Sequence, residues 1–135
     1  METIMLDSSV WISFFAEDCH TPEAKRILSR IESGEDIILI PSIIYAEIIN
    51  NLTKLDKTLK SVSVAEIAFK NIKIKFMNPD RKFWFKKLKH YSLKVQLKTM
   101  DLAILAIAFE YKVNQLYSFD IKLQKAYEYL RNHYE

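Results

Sequence analysis

The chain has 135 residues, of which 50% are hydrophobic and 13% are aromatic. This composition suffices for one folded domain with a substantial core, and it excludes a disordered tail. The formal net charge of +3 favours an anionic partner, but it is too small to indicate a dedicated nucleic-acid-binding arm.

The first predicted elements are a strand, a helix and a second strand. Residues 4–6 form a short apolar strand that ends at Asp7, and residues 36–40 form a stronger one. The helix between them is capped by Thr21 and stops at Gly34. Neither strand alternates apolar with polar residues, and continuous apolar strands are typical of a parallel sheet that is covered on both faces.

The middle of the chain continues this alternation. A helix opening at Ser42 carries Glu47 on the flank of its apolar stripe, about one turn from its start. Ser63 and Glu66 have the spacing of a capping box, which predicts the start of another helix. In residues 72–76 apolar side chains alternate with lysines, and this pattern indicates a more exposed strand at an edge of the sheet.

The last third adds two helices and a fourth strand. A nearly all-apolar helix is capped by Thr99 and runs to about Lys112, so it is expected to lie in the centre of the fold. Residues 115–119 form the last strand, directly before Asp120. The preceding helix, residues 81–93, is predicted to bury three side chains at helical spacing: Trp84, Leu88 and Tyr91.

Strands that alternate with helices imply a parallel sheet with right-handed crossovers. The carboxyl ends of such strands share one rim with the amino ends of the helices that follow, and ligands bind at that rim. Asp101 belongs there because its helix connects through residues 113–114 to the start of the fourth strand, so the helix itself must begin at the opposite rim. Four carboxylates are therefore expected to gather: Asp7, Glu47, Asp101 and Asp120.

Each acid taken singly has a purely structural interpretation. Asp101 suits the positive end of a helix dipole, Asp120 can cap the last helix, and Asp7 can belong to a turn. Glu47 can be a solvated helix residue. Taken together, four like charges at one rim repel one another strongly unless a cation or bound protons neutralise them, so we interpret them as a divalent-metal site. Oxygen ligands without a histidine or cysteine cluster favour Mg²⁺ or Mn²⁺ over zinc.

The chain has the features expected of a soluble, cytoplasmic protein. Its single cysteine, Cys19, cannot form an internal disulfide, which fits a reducing compartment. Glu2 and Asp7 interrupt any secretory apolar segment, and the longest apolar run, residues 102–109, is far shorter than the roughly 20 residues that cross a bilayer. No linker or repeat divides the sequence, so we expect one domain over residues 1–135 and no membrane association.

The motifs around the acids resemble, in this order and apolar context, those of the PIN-domain family, and in particular the VapC-type toxins of prokaryotic toxin–antitoxin pairs. LDSSVWI resembles the opening strand and its Asp-Thr/Ser-Asn/Ser signature, and YAEI carries the expected Glu. TMDLAILAIA resembles the helix of the third acid with its preceding Ser/Thr, and SFD resembles the closing Thr-x-Asp. The resemblance runs nearly end to end. It implies an α/β, PIN-like three-layer α/β/α sandwich around a central, mainly parallel sheet of four to five strands.

The same resemblance implies an activity. It points to a metal-dependent endoribonuclease that cleaves single-stranded RNA with Mg²⁺ or Mn²⁺ as cofactor and leaves 5′-phosphate and 3′-hydroxyl ends. The implied catalytic and metal-binding residues are Asp7, Glu47, Asp101 and Asp120. Three hydroxyl-bearing residues are implied as supports of these acids: Ser9, Thr99 and Ser118.

Two positions depart from the family pattern. The glycine often found before the final strand is replaced by Lys-Val-Asn at residues 112–114, and Leu123 stands where an aromatic residue is common. Asn114 can adopt the left-handed turn conformation that the glycine would supply, so the first departure is tolerable.

Partners also follow from the resemblance, because VapC-type toxins form homodimers and are silenced by a cognate antitoxin whose tail lies in a groove near the acids. Trp11, Phe14 and Phe15 either line such a groove or simply bury the first helix. The basic stretch within residues 81–98 either holds RNA phosphates or forms a solvated helix face, and the lysines of residues 54–60 are a second candidate surface.

Two other classes of function are compatible with a cluster of acids. A non-catalytic PIN-like module would bind RNA or a protein and keep the acids for structure. A receiver-like regulatory domain would bind Mg²⁺ for phosphorylation, but it needs paired acids after the first strand and a late lysine, which this sequence does not place. An Asp-x-Asp phosphatase is excluded because Ser8 and Ser9 follow Asp7.

Overall fold

A parallel sheet forms the centre of the computed structural model, which describes residues 1–71 and 73–134. Its four strands are β1 (Thr3–Leu6), β2 (Ile37–Pro41), β3 (Ile74–Met77) and β4 (Gln115–Tyr117). They lie in the order β3-β2-β1-β4. The central strand β1 pairs with β2 on one side and with β4 on the other, so that Met5 lies opposite both Leu39 and Leu116.

Helices connect each strand to the next. The first four are α1 (Ser8–Phe15), α2 (Thr21–Glu32), α3 (Ser42–Leu55) and α4 (Lys60–Asn71). A π-helical turn (Phe83–Lys87) leads directly into α5 (Leu88–Ser92), which is followed by α6 (Thr99–Glu110) and α7 (Ile121–Tyr134). Within the described residues, no helix is both long and apolar enough to span a bilayer.

The helices cover the sheet in two layers. The chain moves from β1 outward to β2 and β3, then crosses back over the sheet to β4 on the other side of β1. Because parallel crossovers are right-handed, this change of direction puts the helices of the two parts on opposite faces. The packing agrees, since α1 contacts α2, α3 and α4, whereas α6 contacts α5 and α7. The predicted three-layer α/β/α architecture is thus confirmed, with four strands in the described sheet.

The change of direction also marks the natural place for a ligand. Open parallel sheets bind ligands outside the carboxyl ends of their strands, at the point where the connections diverge to opposite faces. Here that point lies between β1 and β4, and Asp7 and Asp120 follow these two strands.

Several sequence predictions on the individual elements are confirmed. β3 lies at an edge of the sheet and exposes Lys75, as predicted, although Phe76 is exposed as well and Ile72 lies outside the described residues. The all-apolar helix α6 is central, and its residues 103–108 are all buried. Trp11 is also fully buried and packs edge-on against Phe69, which confirms the interpretation that this side chain belongs to the core.

The start of α4 differs from the prediction. The helix begins at Lys60, three residues before Ser63, so no capping box forms at Ser63. The carboxylate of Asp56, which precedes the helix by four residues, caps its first turn instead. Its Oδ2 accepts hydrogen bonds from both the amide and the hydroxyl of Ser61. Its Oδ1 accepts from the amide of Thr58 at 3.0 Å. The prediction failed because an Asp five residues upstream of the bonded amide is not a recognised capping pattern.

The prediction that Trp84 is buried is wrong, because Phe83 takes the core position. In the π-helical turn the amide of Leu88 donates to the carbonyl of Phe83, five residues earlier. This spacing puts Phe83, rather than Trp84, on the same face as Leu88. Phe83 is therefore 2% exposed and Trp84 is 38% exposed. Leu88 and Tyr91 pack against the core as predicted.

The turn between α6 and β4 contains its left-handed residue at Lys112. Lys112, with a φ of 54°, adopts the left-handed conformation, and Asn114 does not. The amide of Lys112 donates to Phe109 and that of Val113 donates to Ala108, which together form a Schellman motif. Asn114 instead accepts a hydrogen bond from the amide of Thr3 through its side chain and so joins the starts of β4 and β1. The conformation of Lys112 costs a non-glycine residue about 1–2 kcal/mol.

Candidate active site at the carboxyl ends of the strands

Asp7 lies at the centre of the candidate site and is buried, with 4% of its surface exposed. Its extended backbone ends β1 and caps α1, and its Oδ1 accepts a hydrogen bond of 2.8 Å from the amide of Ser8. Its Oδ2 accepts two further hydrogen bonds, from the hydroxyls of Ser9 at 2.9 Å and Ser118 at 2.8 Å. These three hydrogen bonds hold the carboxylate of Asp7 in one orientation.

The two hydroxyls that hold Asp7 also tie the ends of β1 and β4 together. Each hydroxyl donates its proton to Asp7 and accepts a backbone amide: Ser9 accepts that of Phe119, and Ser118 accepts that of Asp120, both at 3.0 Å. The position of Asp7 is therefore coupled to the backbone that carries Asp120.

Glu47 lies in the second turn of α3, and one of its carboxylate oxygens, Oε1, is buried without a hydrogen-bond partner among the described residues. Burial raises the pKa of Glu47 above its ordinary value, and the negative charges of Asp7 and Asp101 raise it further. A hydrogen-bonding contribution from the Ser8 side chain acts in the opposite direction and offsets only part of the rise in pKa.

Asp101 lies in the first turn of α6, where the helix dipole favours a negative charge. Its pKa is nonetheless raised, first by burial and then by the charges of Asp120 and Asp7, while Lys98 lowers it. Asp101 therefore experiences the charge of Asp7 from β1, as Glu47 does from α3. The carboxylates of four separate elements lie near enough to act on one another.

Asp120 is exposed and has a structural role as well. Its Oδ1 accepts a hydrogen bond of 3.0 Å from the amide of Leu123, in the first turn of α7. The capping interpretation of Asp120 is thus correct, and its charge still reaches Asp101.

The site has the donors of a hard divalent cation but not a completed ligand set. Among the residues that the structure describes, no three carboxylate, imidazole or thiol side chains already form a metal-binding group. Carboxylate oxygens are the ligands that Mg²⁺ and Mn²⁺ prefer. The unpaired Oε1 of Glu47, next to two like charges, is the atom whose surroundings are least satisfied without a cation.

Thr99 differs from the other two predicted supporting residues. It is the first residue of α6 and is exposed. Unlike Ser9 and Ser118, it donates no hydrogen bond to Asp7.

An open groove of about 760 Å³ adjoins the acids between α6 and the start of α7. Asp101 and Asp120 line it, together with the two basic side chains of Lys98 and Lys122. A phosphate in this groove would meet cations at its walls and carboxylates at one end.

Two contributions to the site were not predicted from the sequence. The side chain of Gln124 accepts the amide of Ser118 at 2.9 Å and donates to the carbonyl of Leu116, which fixes the segment before Asp120. The ring of His20 stacks on Phe119 with centroids 4.6 Å apart. No sequence signal marks either contact, because each depends on how α2 and α7 pack beside β4.

The fold and the arrangement of this site define a class of protein. A sequence model of the PIN domain matches residues 4–129, and the chain belongs to the PIN domain family, a family of nucleases. No curated protein sequence matches the chain significantly.

Solved structures share the fold at low sequence identity. One is VapC20 of Mycobacterium tuberculosis, a toxin that cleaves the sarcin-ricin loop; it is 16% identical, with a TM-score of 0.73 over 91% of this chain and 94% of that one. Another is VapBC2 of Rickettsia felis bound to a fragment of promoter DNA; it is 18% identical, with a TM-score of 0.73 over 92% of each chain. The resemblance to VapC-type PIN toxins inferred from the motifs is confirmed at the level of family and fold.

Proposed function

We propose that this protein is a metal-dependent endoribonuclease that cleaves single-stranded RNA, and that it is the toxin of a VapBC-type toxin–antitoxin pair. The observation that carries the proposal is the buried, unpaired Oε1 of Glu47, whose pKa is raised by burial and by the charges of Asp7 and Asp101. A protein gains nothing in stability from such an arrangement, so a cation that neutralises it is the simplest reason for its presence.

The residues are assigned as follows. Asp7, Glu47 and Asp101 would hold Mg²⁺ or Mn²⁺, and Asp120 would hold a second ion or a metal-bound water. When bound, the ion lowers the pKa of a water and offsets the charge that develops on the phosphate. Ser9 and Ser118 keep the Asp7 carboxylate in position through their hydrogen bonds to Oδ2. Thr99 is proposed as a supporting residue on the family resemblance alone, because it donates no hydrogen bond to Asp7.

The substrate strand would lie in the groove beside the acids. Lys98 and Lys122 line this groove and would pair with phosphates on either side of the cleaved bond. Such contacts fix the position of an RNA without reading its sequence.

The experiment that tests the activity is digestion of a labelled single-stranded RNA with Mn²⁺, with Mg²⁺ and with EDTA. We expect cleavage with either metal and none with the chelator, and products that carry 5′-phosphates. A Glu47→Gln variant should fold and remain inactive, whereas the exposed Glu66→Gln on α4 should cleave like the wild type. Cleavage that persists in EDTA would contradict the assignment of a metal site.

A second candidate is a PIN-like module that binds RNA or protein without cleaving it. The hydrogen bond by which Asp120 caps α7 favours this alternative, because it is a structural role for one of the four acids. Equal and negligible digestion in metal and in chelator, together with retained RNA binding, would support it.

The proposed partners extend this function. The neighbour from Rickettsia felis is a toxin–antitoxin pair, which supports a cognate antitoxin here, and we also propose a homodimer. We expect residues 1–135 to act as one PIN-like domain in the cytoplasm. Analytical ultracentrifugation would test the dimer, and fractionation of the native cells would test the location.

A further inference from the structure

A second pocket, far from the acids, lies at the other end of α6. Its volume is about 620 Å³, and it is formed where α5, the end of α6 and α7 meet. Four of its lining side chains are basic and no lining side chain is acidic; the basic ones are His90, Lys94, Lys112 and Arg131. Lys94, Lys112 and Arg131 make this pocket positively charged, although the net charge of the whole chain is only +3.

The backbone of Lys112 gives independent support for a function of this pocket. Lys112 occupies the left-handed position of the Schellman motif, where glycine or asparagine is preferred. A strained backbone that carries a charged side chain into a pocket suggests that the side chain is needed there. A lysine also interacts favourably with the negative end of α6, and this structural role is the alternative that an experiment must separate.

Aromatic rings form one wall of the pocket. Tyr91 and Phe109 stack with their ring centroids 5.9 Å apart and an angle of 15° between their planes. The nearest carboxylate on α6, that of Glu110, accepts a hydrogen bond from Tyr91 and pairs with Lys87, so its charge is offset. These rings pack on each other and against the core, and Lys94 lies over the ring of Tyr91, so the aromatic wall supports the cations that phosphates would meet.

We propose that this pocket binds the backbone of single-stranded RNA several nucleotides away from the cleaved bond; this inference rests on the proposed function. Eleven residues of helix and turn separate Asp101 from Lys112, or roughly 16 Å along α6, so one phosphate cannot occupy both sites. The pocket therefore contributes to the binding of long RNA and leaves the turnover of a dinucleotide unchanged. An acidic peptide would satisfy the cations too, but RNA is the polyanion that the proposed function already brings to this chain.

The test compares variants at Lys112 by fluorescence anisotropy with a long labelled oligoribonucleotide, over a range of salt concentrations. Lys112→Gly and Lys112→Asn both tolerate the left-handed backbone, so we expect them to fold with a thermal midpoint no lower than that of the wild type. Each should lower the affinity for long RNA about threefold to tenfold and reduce the salt slope by about 0.7. Lys112→Arg should retain binding, and Lys25→Gln on the exposed face of α2 should have no effect.

The outcomes separate this inference from the proposed function. If the wild type cleaves RNA and Lys112→Gly binds long RNA with unchanged affinity and salt slope, the inference is wrong and the nuclease assignment stands. If the wild type cleaves nothing but its RNA binding depends on Lys112, the pocket stands and the nuclease assignment is wrong. If Lys112→Gly loses the binding of a polyglutamate peptide that the wild type shows, but still binds long RNA like the wild type, the inference is wrong and the pocket binds an acidic partner.

Discussion

At the scale of single residues, Glu47 and Asp7 have opposite surroundings. Three hydrogen-bond donors surround the carboxylate of Asp7, whereas one oxygen of Glu47 has none. The carboxylate of Asp7 is therefore held by hydrogen bonds, whereas burial and the charges of Asp7 and Asp101 raise the pKa of Glu47. This difference makes Glu47 the residue whose behaviour reports on the metal most sensitively.

The raised pKa of Glu47 predicts how stability depends on pH. Because the folded state holds this proton more tightly than the unfolded state, the metal-free protein should lose stability as pH rises from the ordinary value of 4.5 through the raised pKa. Asp101 acts in the same direction from its ordinary value of 3.8. Glu47→Gln should flatten this dependence and raise the thermal midpoint at neutral pH in EDTA. Thermal denaturation followed by circular dichroism at several pH values would measure the stability. If the stability of Glu47→Gln depends on pH as strongly as that of the wild type, the prediction is wrong.

Asp7→Asn should separate folding from catalysis. Asparagine caps helices about as well as aspartate, and its oxygen can still accept the amide of Ser8. The negative charge is lost, so cleavage should fall by roughly 100-fold or more while the circular dichroism spectrum is kept. Asp80→Asn is the matched control, since Asp80 also accepts an amide, that of Phe83, but lies away from the acids. Full activity of Asp7→Asn would contradict the assignment of Asp7 to the catalytic site.

At the scale of the elements, the sequence was informative wherever a pattern was local. The strand ending at Asp7, the edge strand and the central apolar α6 follow from periodicity, and all are present. The predictions of a capping box at Ser63 and of a buried Trp84 were wrong. Asp56 accepts the amide hydrogen bond at the start of α4, and the π-helical turn puts Phe83 in the core instead of Trp84.

The site was partly predictable for the same reason. Strand order places the acids at one rim, but the hydroxyl of Ser118 reaches Asp7 across 111 residues of sequence. Whether that hydroxyl, or that of Thr99, bonds to an acid depends on packing that no single-sequence pattern records.

The start of α4 offers a prediction at this scale. Hydrogen bonds from Thr58 and Ser61 lower the pKa of Asp56 to about 2, so its charged form stabilises the turn that contains the strained Leu59. That contribution should be present above the ordinary value of 3.8 and be lost as pH falls toward 2. Asp56→Ala should speed hydrogen exchange in the first turn of α4, and Asp56→Asn should do so less. Unchanged exchange in Asp56→Ala would show that Asp56 does not hold this turn.

At the scale of the whole molecule, α6 runs from the acids at one rim of the sheet to the basic pocket at the other. Acids gather where the strands end, and a basic pocket lies where β4 begins, beside Asn114. Because residues 103–108 of α6 are buried, an RNA that reaches both places would cross the elements packed beside α6 and not α6 itself. In the proposed function, the basic side chains of this pocket and of the groove beside the acids would hold a polyanion, although the net charge of the chain is only +3.

The most direct test of the account is a crystal structure of the protein soaked in Mn²⁺, with data collected to record anomalous scattering from manganese. We expect an anomalous peak bounded by the carboxylates of Asp7, Glu47 and Asp101, with the Oε1 of Glu47 turned toward it. No peak at saturating Mn²⁺, or a peak elsewhere with Glu47 still unpaired, would contradict the claim that these acids form a metal site.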